Sequence, residues 1–460
     1  MYQRIISCIL LFAMLAALML SGCAGTEKPQ TAAETTAAAA LNDRETAPVE
    51  ETAEPVQIRQ PRAPDVPAVP AEKPEPAAER TPEAEIDLVP RPLGGLLAPQ
   101  VPQVGKEVSE EEIQEIERSM RDYTGPQYNL SWEYYPRNQA DSFVYYDLMN
   151  RDEQAIYDAI LLTTVDPYAE KFHAYCTTSM DPSSDEFYQA FCRVSQCMSY
   201  DHPELFWLHI KDGPRITYCY GQDSDGEVYF FLTNMSEQVM GYIYAFNRNT
   251  EAFLAMVNDF SSEVNTARQV HDLLLYNVSY DHYGLNNNIE DPLRYTAYAA
   301  IVENGRGEAF SAVCGGYANA FLYLMQMLKI EGAVVLGDAG LDGDTELHAW
   351  NLMNLDGVWT EVDVTWDDID LKNTDGVKSP YQCYYDEAAN DPWTNDRITH
   401  AFFCIPTWKM TDFKGIPEYD YQSRDGKYVF HLIGNSNHYR LENENEYAMG
   451  SVVARLPVAK

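Results

Sequence analysis

The chain has 460 residues and a formal charge of −39, and no run of Lys or Arg interrupts the acidity. That balance argues against nucleic acid and against anionic lipid headgroups, both of which require a basic patch. An apolar fraction of 45%, an aromatic fraction of 12% and 32 tyrosines are those of a folded protein, and the length exceeds what one hydrophobic core usually serves, so roughly two or three domains are expected. The nine cysteines, at 8, 23, 176, 192, 197, 219, 314, 383 and 404, lack the paired short spacings of a zinc site; no metal and no cofactor are expected, and the spacing leaves buried thiols and disulfides equally open.

Residues 1–22 read as a signal peptide, with Arg4 ahead of an apolar run from Ile5 to Leu20 that is short for a transmembrane helix. Leu20-Ser21-Gly22-Cys23 follows and resembles the lipobox of bacterial lipoproteins. The resemblance implies lipidation of Cys23 and a chain anchored to the extracellular face of a bacterial cell membrane. From 23 to 105 comes a Pro/Ala/Glu-rich linker without Phe, Trp or Tyr that holds 14 of the 26 prolines. Such a stretch cannot bury enough surface to offset its ordering entropy and is expected to be a disordered tether. At about 3.1 Å per residue in the limiting polyproline geometry it would reach a couple of hundred ångström, far enough for work within or beyond a cell wall.

Folding is expected to begin at residue 106, with an α+β N-terminal domain over 106–255. Ser109 and Glu112 form a helix-start signature, Asp152 to Leu162 and Phe187 to Val194 carry helical spacing, and Arg215 to Asn234 alternates around Asp-Ser-Asp-Gly as a hairpin does. Asp201 and His202 precede a buried aromatic run and read as loop residues rather than an acid/base pair. Nothing in this stretch suggests chemistry.

A catalytic domain is expected over 256–410. A helix from Thr250 to Leu275 is suggested by Phe253, Met256, Val257, Phe260, Val264 and Ala267. The segment from Ala312 places Tyr317, Phe321, Leu324 and Leu328 on one face of a buried helix that Gly332 ends, with Cys314 at its start. A helix N-terminus favours a thiolate, the nucleophilic form of cysteine. Gly315 and Gly316 leave room beside the sulfur for a substrate carbonyl and its developing oxyanion. In ELHAWNLMNLDGVWTEVDVTWDD, a two-residue turn at Asp356-Gly357 pairs His348 with Thr365 and Trp350 with Asp363. His348 and Asp363 then lie diagonally on one face, where a carboxylate can orient an imidazole.

The strings VCGGYANAF, LHAWNLM and DGVWTEVDVTWDD, in the order Cys, His, Asp, resemble those of the transglutaminase-like superfamily of cysteine enzymes found in bacterial surface proteins, and VHDLLLYNVSYD is similar to the helix that precedes the core in that family. The resemblance implies a papain-like α+β core, the cysteine helix packed on an antiparallel sheet. It also implies a catalytic triad of Cys314, His348 and Asp363 and acyl transfer through a thioester on protein or peptide amides.

Tyr298 is carried as an oxyanion candidate, and Gly315, Gly316, Trp350 and Trp366 as substrate-pocket candidates, the two tryptophans reading equally as core. Asp367 and Asp368 are expected to make loop hydrogen bonds, and Asp338 to Asp344 reads as an acidic loop without an EF-hand's spacing. Residues 411–460 are expected to be a small β extension with strands at Lys427 to Ile433 and Ser451 to Leu456, and His400 has no role. A tethered binding or scaffold module with an idle triad stays open beside the enzyme.

Overall fold

The structure is a computed structural model that describes residues 104–123, 131–168, 173–222, 225–341, 344–368, 400, 402–411, 413–414, 420–422, 429–431, 435–441 and 450–460. The expected signal peptide, lipidation site and tether lie outside these residues, as does Cys383. Among the described residues no helix is long and apolar enough to cross a membrane.

The fold is α+β. A first sheet joins β1 (Lys106–Val108), β2 (His173–Thr177), β3 (Arg215–Gly221) and β4 (Glu227–Thr233) in the order β1-β3-β4-β2. β3 and β4 are the expected hairpin, with Arg215 opposite Thr233. The helices Arg151–Thr163 and Asp185–Asp201 bury Ile156, Ile160, Phe187, Phe191 and Val194 in the core. The expected helix start at Ser109 is present as a reciprocal cap: the Ser109 hydroxyl accepts from Glu112 N–H, and the Glu112 carboxylate accepts from Ser109 N–H. Asp201 is not a loop residue. It closes its helix and accepts from the N–H groups of Tyr145 and Tyr146 and from the Tyr157 hydroxyl.

The short parallel pair β5 (Ser279–Tyr280) and β6 (Ser311–Ala312) leads into the cysteine helix, Cys314–Met327. β7 (Gly332–Leu341), β8 (Asp344–Leu355) and β9 (Val358–Val362) then form an antiparallel meander, followed by β10 (Phe413–Lys414), β11 (Asp420–Gln422), β12 (Val429–His431) and β13 (Asn435–Arg440). The second sheet runs β10-β13-β7-β8-β9. Asn351 faces Val362 and Leu355 faces Val358, the register expected from the Asp356-Gly357 turn, but the ladder ends at Val362. Asp363 and Thr365 leave it for a helical turn, so the expected pairs of His348 with Thr365 and Trp350 with Asp363 do not form. Both turn residues have positive φ, at 52° and 81°, as a type I′ hairpin needs.

Three expectations need correction. The helix drawn from Thr250 to Leu275 is two helices, Glu237–Leu254 and Glu263–Asn277. The break follows from Ser262, whose hydroxyl accepts from Asn265 N–H and starts the second helix; Phe260 lies in the gap and is exposed. The cysteine helix stops at Met327, where Lys329 turns left-handed at φ 64°, and Gly332 begins β7 instead of ending the helix. The stretch read as a strand at Ser451 to Leu456 opens inside a short helix, Gly450–Val453.

Packing runs across the expected domain boundaries. One core cluster runs from Val144 to Ala459, and a small second one (Ile113, Cys219, Tyr229) lies under the Glu110–Asp122 helix. Tyr145 hydroxyl donates to Val334 O, Tyr323 hydroxyl to Arg137 O, and Gln326 Nε2 to Asp201 O, so residues 131–255 pack directly on the sheet and helix expected to form the catalytic domain. The C-terminal segment is not an appendage either, because β13 pairs with β7 inside the second sheet.

Candidate active site

Cys314 is the first residue of its helix, and Val313 before it provides no side-chain cap. The first-turn N–H groups and the positive end of the helix dipole therefore remain beside the sulfur. Arg294 O accepts from Val313 N–H, and Asn319 Nδ2 donates to both Gly315 O and Tyr295 O, fixing the helix start against the segment 291–296. A Cβ on Gly316 would stand 2.7 Å from Arg294 O and from the Ala312 methyl, and one on Gly315 would stand 3.0 Å from Tyr295 O. The two glycines thus make way for the protein's own backbone.

His348 projects from β8, and Asp363 follows β9 as the N-cap of the one-turn helix Val364–Asp367. His348 Nε2 lies 2.7 Å from Asp363 Oδ2, and Trp366 N–H donates to Asp363 Oδ1 at 3.1 Å. Cys314 is close enough to His348 to contribute to the raised pKa of the imidazole. With Nε2 taken by Asp363, the remaining nitrogen is Nδ1, which is buried without a hydrogen-bond partner among the described residues. Cys314, His348 and Asp363 are all 0% exposed, so nothing reaches the sulfur unless the packing around it moves.

A fourth group completes the arrangement. His438, on β13, places its Nε2 2.9 Å from the same Asp363 Oδ2 and is also fully buried. Its ring meets Trp366, Trp350 and Phe402 at 4.6, 5.1 and 5.6 Å, which sheathes the two imidazoles in aromatic surface. Two residues on, Arg440 pairs with buried Glu361 at 2.7 Å, and Glu361 also accepts from Trp350 Nε1 at 2.5 Å. Residues 361 and 363 therefore present two buried carboxylates, and residues 438 and 440 answer both. Sequence reasoning missed His438; the alternation of His438 and Arg440 in SNHYR was its one local signal.

Burial alone would lower the His348 pKa, but the Asp363 charge, its hydrogen bond and the contact with Cys314 outweigh it and raise it to about 10. Burial would raise the Asp363 pKa, and the two histidines instead hold it well below its ordinary value. His438 is lowered, by burial and by the His348 charge, against the pull of Asp363. These directions favour the charged forms of His348 and Asp363 and the neutral form of His438.

Tyr298 is not brought to these groups. It stacks on Phe206 at 4.7 Å and meets Tyr242 and Phe246 in the core. Tyr295, half-buried, is the tyrosine at the cysteine, and the proximity of Cys314 contributes to its raised pKa, after burial. Trp350 and Trp366 are buried walls of the histidine cluster. Asp367 accepts from Phe402 N–H, and Asp368 from the Tyr317 hydroxyl, as loop hydrogen bonding requires. Residues 332–341 and 344–355 are strands, so Asp338 lies in a hairpin and not in an acidic loop. The described cysteines, Cys176, Cys192, Cys197, Cys219, Cys314 and Cys404, are free thiols.

No protein-family model and no curated protein matches the chain. Among solved structures it is similar to a TGase, at 15% identity and a TM-score of 0.24, over 41% of this chain and 58% of that one. It is also similar to a candidate cysteine protease from Cytophaga hutchinsonii, at 15% identity and a TM-score of 0.20, over 30% of this chain and 52% of that one. The chain spans little more than half the length of either structure.

Proposed function

We propose that the chain is a cell-surface, transglutaminase-like cysteine enzyme that transfers or hydrolyses acyl groups of protein or peptide amides through a thioester on Cys314. The observation that carries this reading is Cys314 at the start of its helix beside His348, whose Nε2 meets Asp363 at 2.7 Å. The nucleophilic form of a cysteine is the thiolate, which a helix N-terminus favours. Attack by that thiolate on an amide carbonyl forms the C–S bond. His348 then protonates the departing nitrogen, the C–N bond breaks, and a thioester remains. His348, now neutral, takes the proton of an incoming amine or water as it attacks the thioester, and thiolate leaves. Asp363 holds the tautomer and stabilises the imidazolium. The choice between amine and water decides between transferase and hydrolase, and ammonia or a peptide amine as leaving group decides between deamidase and protease. The surface location rests on residues 1–23 and on the linker after them.

A second reading, a binding or scaffold module with an idle triad, is favoured by one observation, the complete burial of Cys314, His348 and Asp363. Site-resolved alkylation of the full chain separates the two. In the enzyme, Cys314 labels quickly near pH 6 and the rate falls at least tenfold in His348→Ala, whereas in the scaffold it labels no faster than the thiols of Cys176 and Cys404, which burial pushes up to about 12.

A further inference from the structure

A buried cluster of two histidines and a carboxylate lies outside the triad. His271 and Asp272 are consecutive in the helix Glu263–Asn277, and His400 joins them. His271 Nδ1 is 3.0 Å and His400 Nε2 2.8 Å from the same oxygen, Asp272 Oδ1, and the three donor atoms all lie within 4.8 Å of one another. His271 and Asp272 are buried, and the His400 side chain is 5% exposed. The other nitrogen of His271, Nε2, lies 3.1 Å from Asp367 Oδ2, and that carboxylate is fixed by Phe402 N–H at 3.1 and 3.3 Å. Among the described residues, Asp272 Oδ2 and His400 Nδ1 are buried without a hydrogen-bond partner.

We propose that His271, Asp272 and His400 bind a divalent transition-metal ion of the zinc class. Two imidazole nitrogens and one carboxylate are a donor set such an ion takes, with a fourth position left for water or another ligand. The ion takes the place of the protons that now lie between each imidazole and Asp272. Ligation through His271 Nδ1 requires the proton on Nε2, and Asp367 is there to accept it. A carboxylate on the second nitrogen of a ligating histidine is the support that orients and strengthens such ligands. Ligation through His400 Nε2 requires the proton on Nδ1, the atom that has no competing partner.

The site would act as a clamp on the triad. Phe402, two residues beyond His400, accepts from Asp363 N–H at 2.9 Å, and Glu361 and Ile405 exchange backbone hydrogen bonds at 2.8 and 3.0 Å. Asp367 closes the turn that Asp363 opens, donating to Asp363 O at 3.3 Å. An ion at His271, Asp272 and His400 therefore ties the helix Glu263–Asn277 to both backbone supports of the triad carboxylate. His348, Asp363 and His438 offer the same donor types, but they belong to the active site, which makes them the comparison for the test.

The test uses the tag-free full chain with Cys314→Ala, so that the thiol cannot hold an ion. It is stripped with chelator, loaded with zinc, desalted and analysed for metal content. About one equivalent per chain is expected, retained in His438→Ala and lost in His400→Ala and in Asp272→Asn. Zinc should also raise the Tm in the first two proteins and leave it unchanged in the last two, since an ion bound only by the folded state stabilises it by mass action. Unfolding of the stripped variants, followed in parallel, identifies a variant that has not folded; the conservative Asp272→Asn then decides. The proposal is overturned if the Cys314→Ala chain retains no stoichiometric zinc, or if retention depends on His438 and not on His400 and Asp272.

Discussion

Asp363 is the residue on which the site turns, because three groups depend on its carboxylate: His348, His438 and the backbone of Trp366. His348, raised from 6.5 to about 10 on folding, contributes stability that is fully present below pH 6.5 and is lost as the pH rises towards 10. Asp363, depressed from 3.8, contributes stability that is present above that value and is lost as the pH falls through its lowered folded pKa. His348→Gln, which cannot carry the charge, should therefore show its largest Tm deficit between about pH 4 and pH 6.5. The deficit should shrink steadily towards pH 10, and a deficit unchanged over that range would mean that His348 is neutral in the folded protein. His438 contributes differently, as a neutral donor to a buried anion. Replacing it with Leu removes a hydrogen bond to a charged group and should cost about 1.5–3 kcal/mol in urea unfolding. His438→Gln, which keeps an N–H donor, should recover part of that, and alkylation of Cys314 should still depend on His348 in both variants.

At the scale of elements, the start of the cysteine helix is a backbone-to-backbone contact. The segment 291–296 runs so close to it that a methyl on Gly316 would meet Arg294 O at 2.7 Å and Thr296 O at 3.1 Å. Gly316→Ala should therefore destabilise by about 1–3 kcal/mol through overpacking. It should also slow alkylation of Cys314, since relief of the clash moves the helix turn that carries the sulfur; denaturant unfolding and the labelling rate measure the two effects separately. The hairpin that places His348 near Asp363 was legible in the sequence because alternation and a turn dipeptide are local signals, and the register follows from them. The cap at Ser109 was legible for the same reason. The break before Glu263 is present in the sequence as Asn-Asp-Phe-Ser-Ser-Glu, but apolar residues keep helical spacing across it and mask the cap. His438 and His400 were not legible as site residues. Each lies far along the chain from its partner, 75 residues for His438 and Asp363 and 128 for His400 and Asp272, and only sheet order and chain return bring them together.

Over the whole molecule the order of β13, β7, β8 and β9 makes the active site a product of distant chain segments. β8 carries His348, Asp363 follows β9, and β13, the neighbour of β7 on the side away from β8, carries His438 and Arg440. Gly337 of β7 stands between them: a Cβ there would lie 2.7 Å from the Trp350 ring, so its absence gives the tryptophan room beside β13. A chain ending at residue 431 would lose the strand that covers β7 and leave Glu361 without Arg440 at 0% exposure. Breaking a buried ion pair by removing one partner costs about 3–5 kcal/mol, and this loss adds to that of the His438 hydrogen bond within a domain whose whole stability is of order 5–15 kcal/mol. The truncated chain should therefore retain helix and strand while losing fixed packing, seen as preserved far-UV and diminished near-UV circular dichroism with dye binding. Were it instead to unfold as cooperatively as the full chain, with unchanged near-UV signal, residues 435–460 would be dispensable to the core, and the carboxylates of Glu361 and Asp363 would have to be satisfied without them.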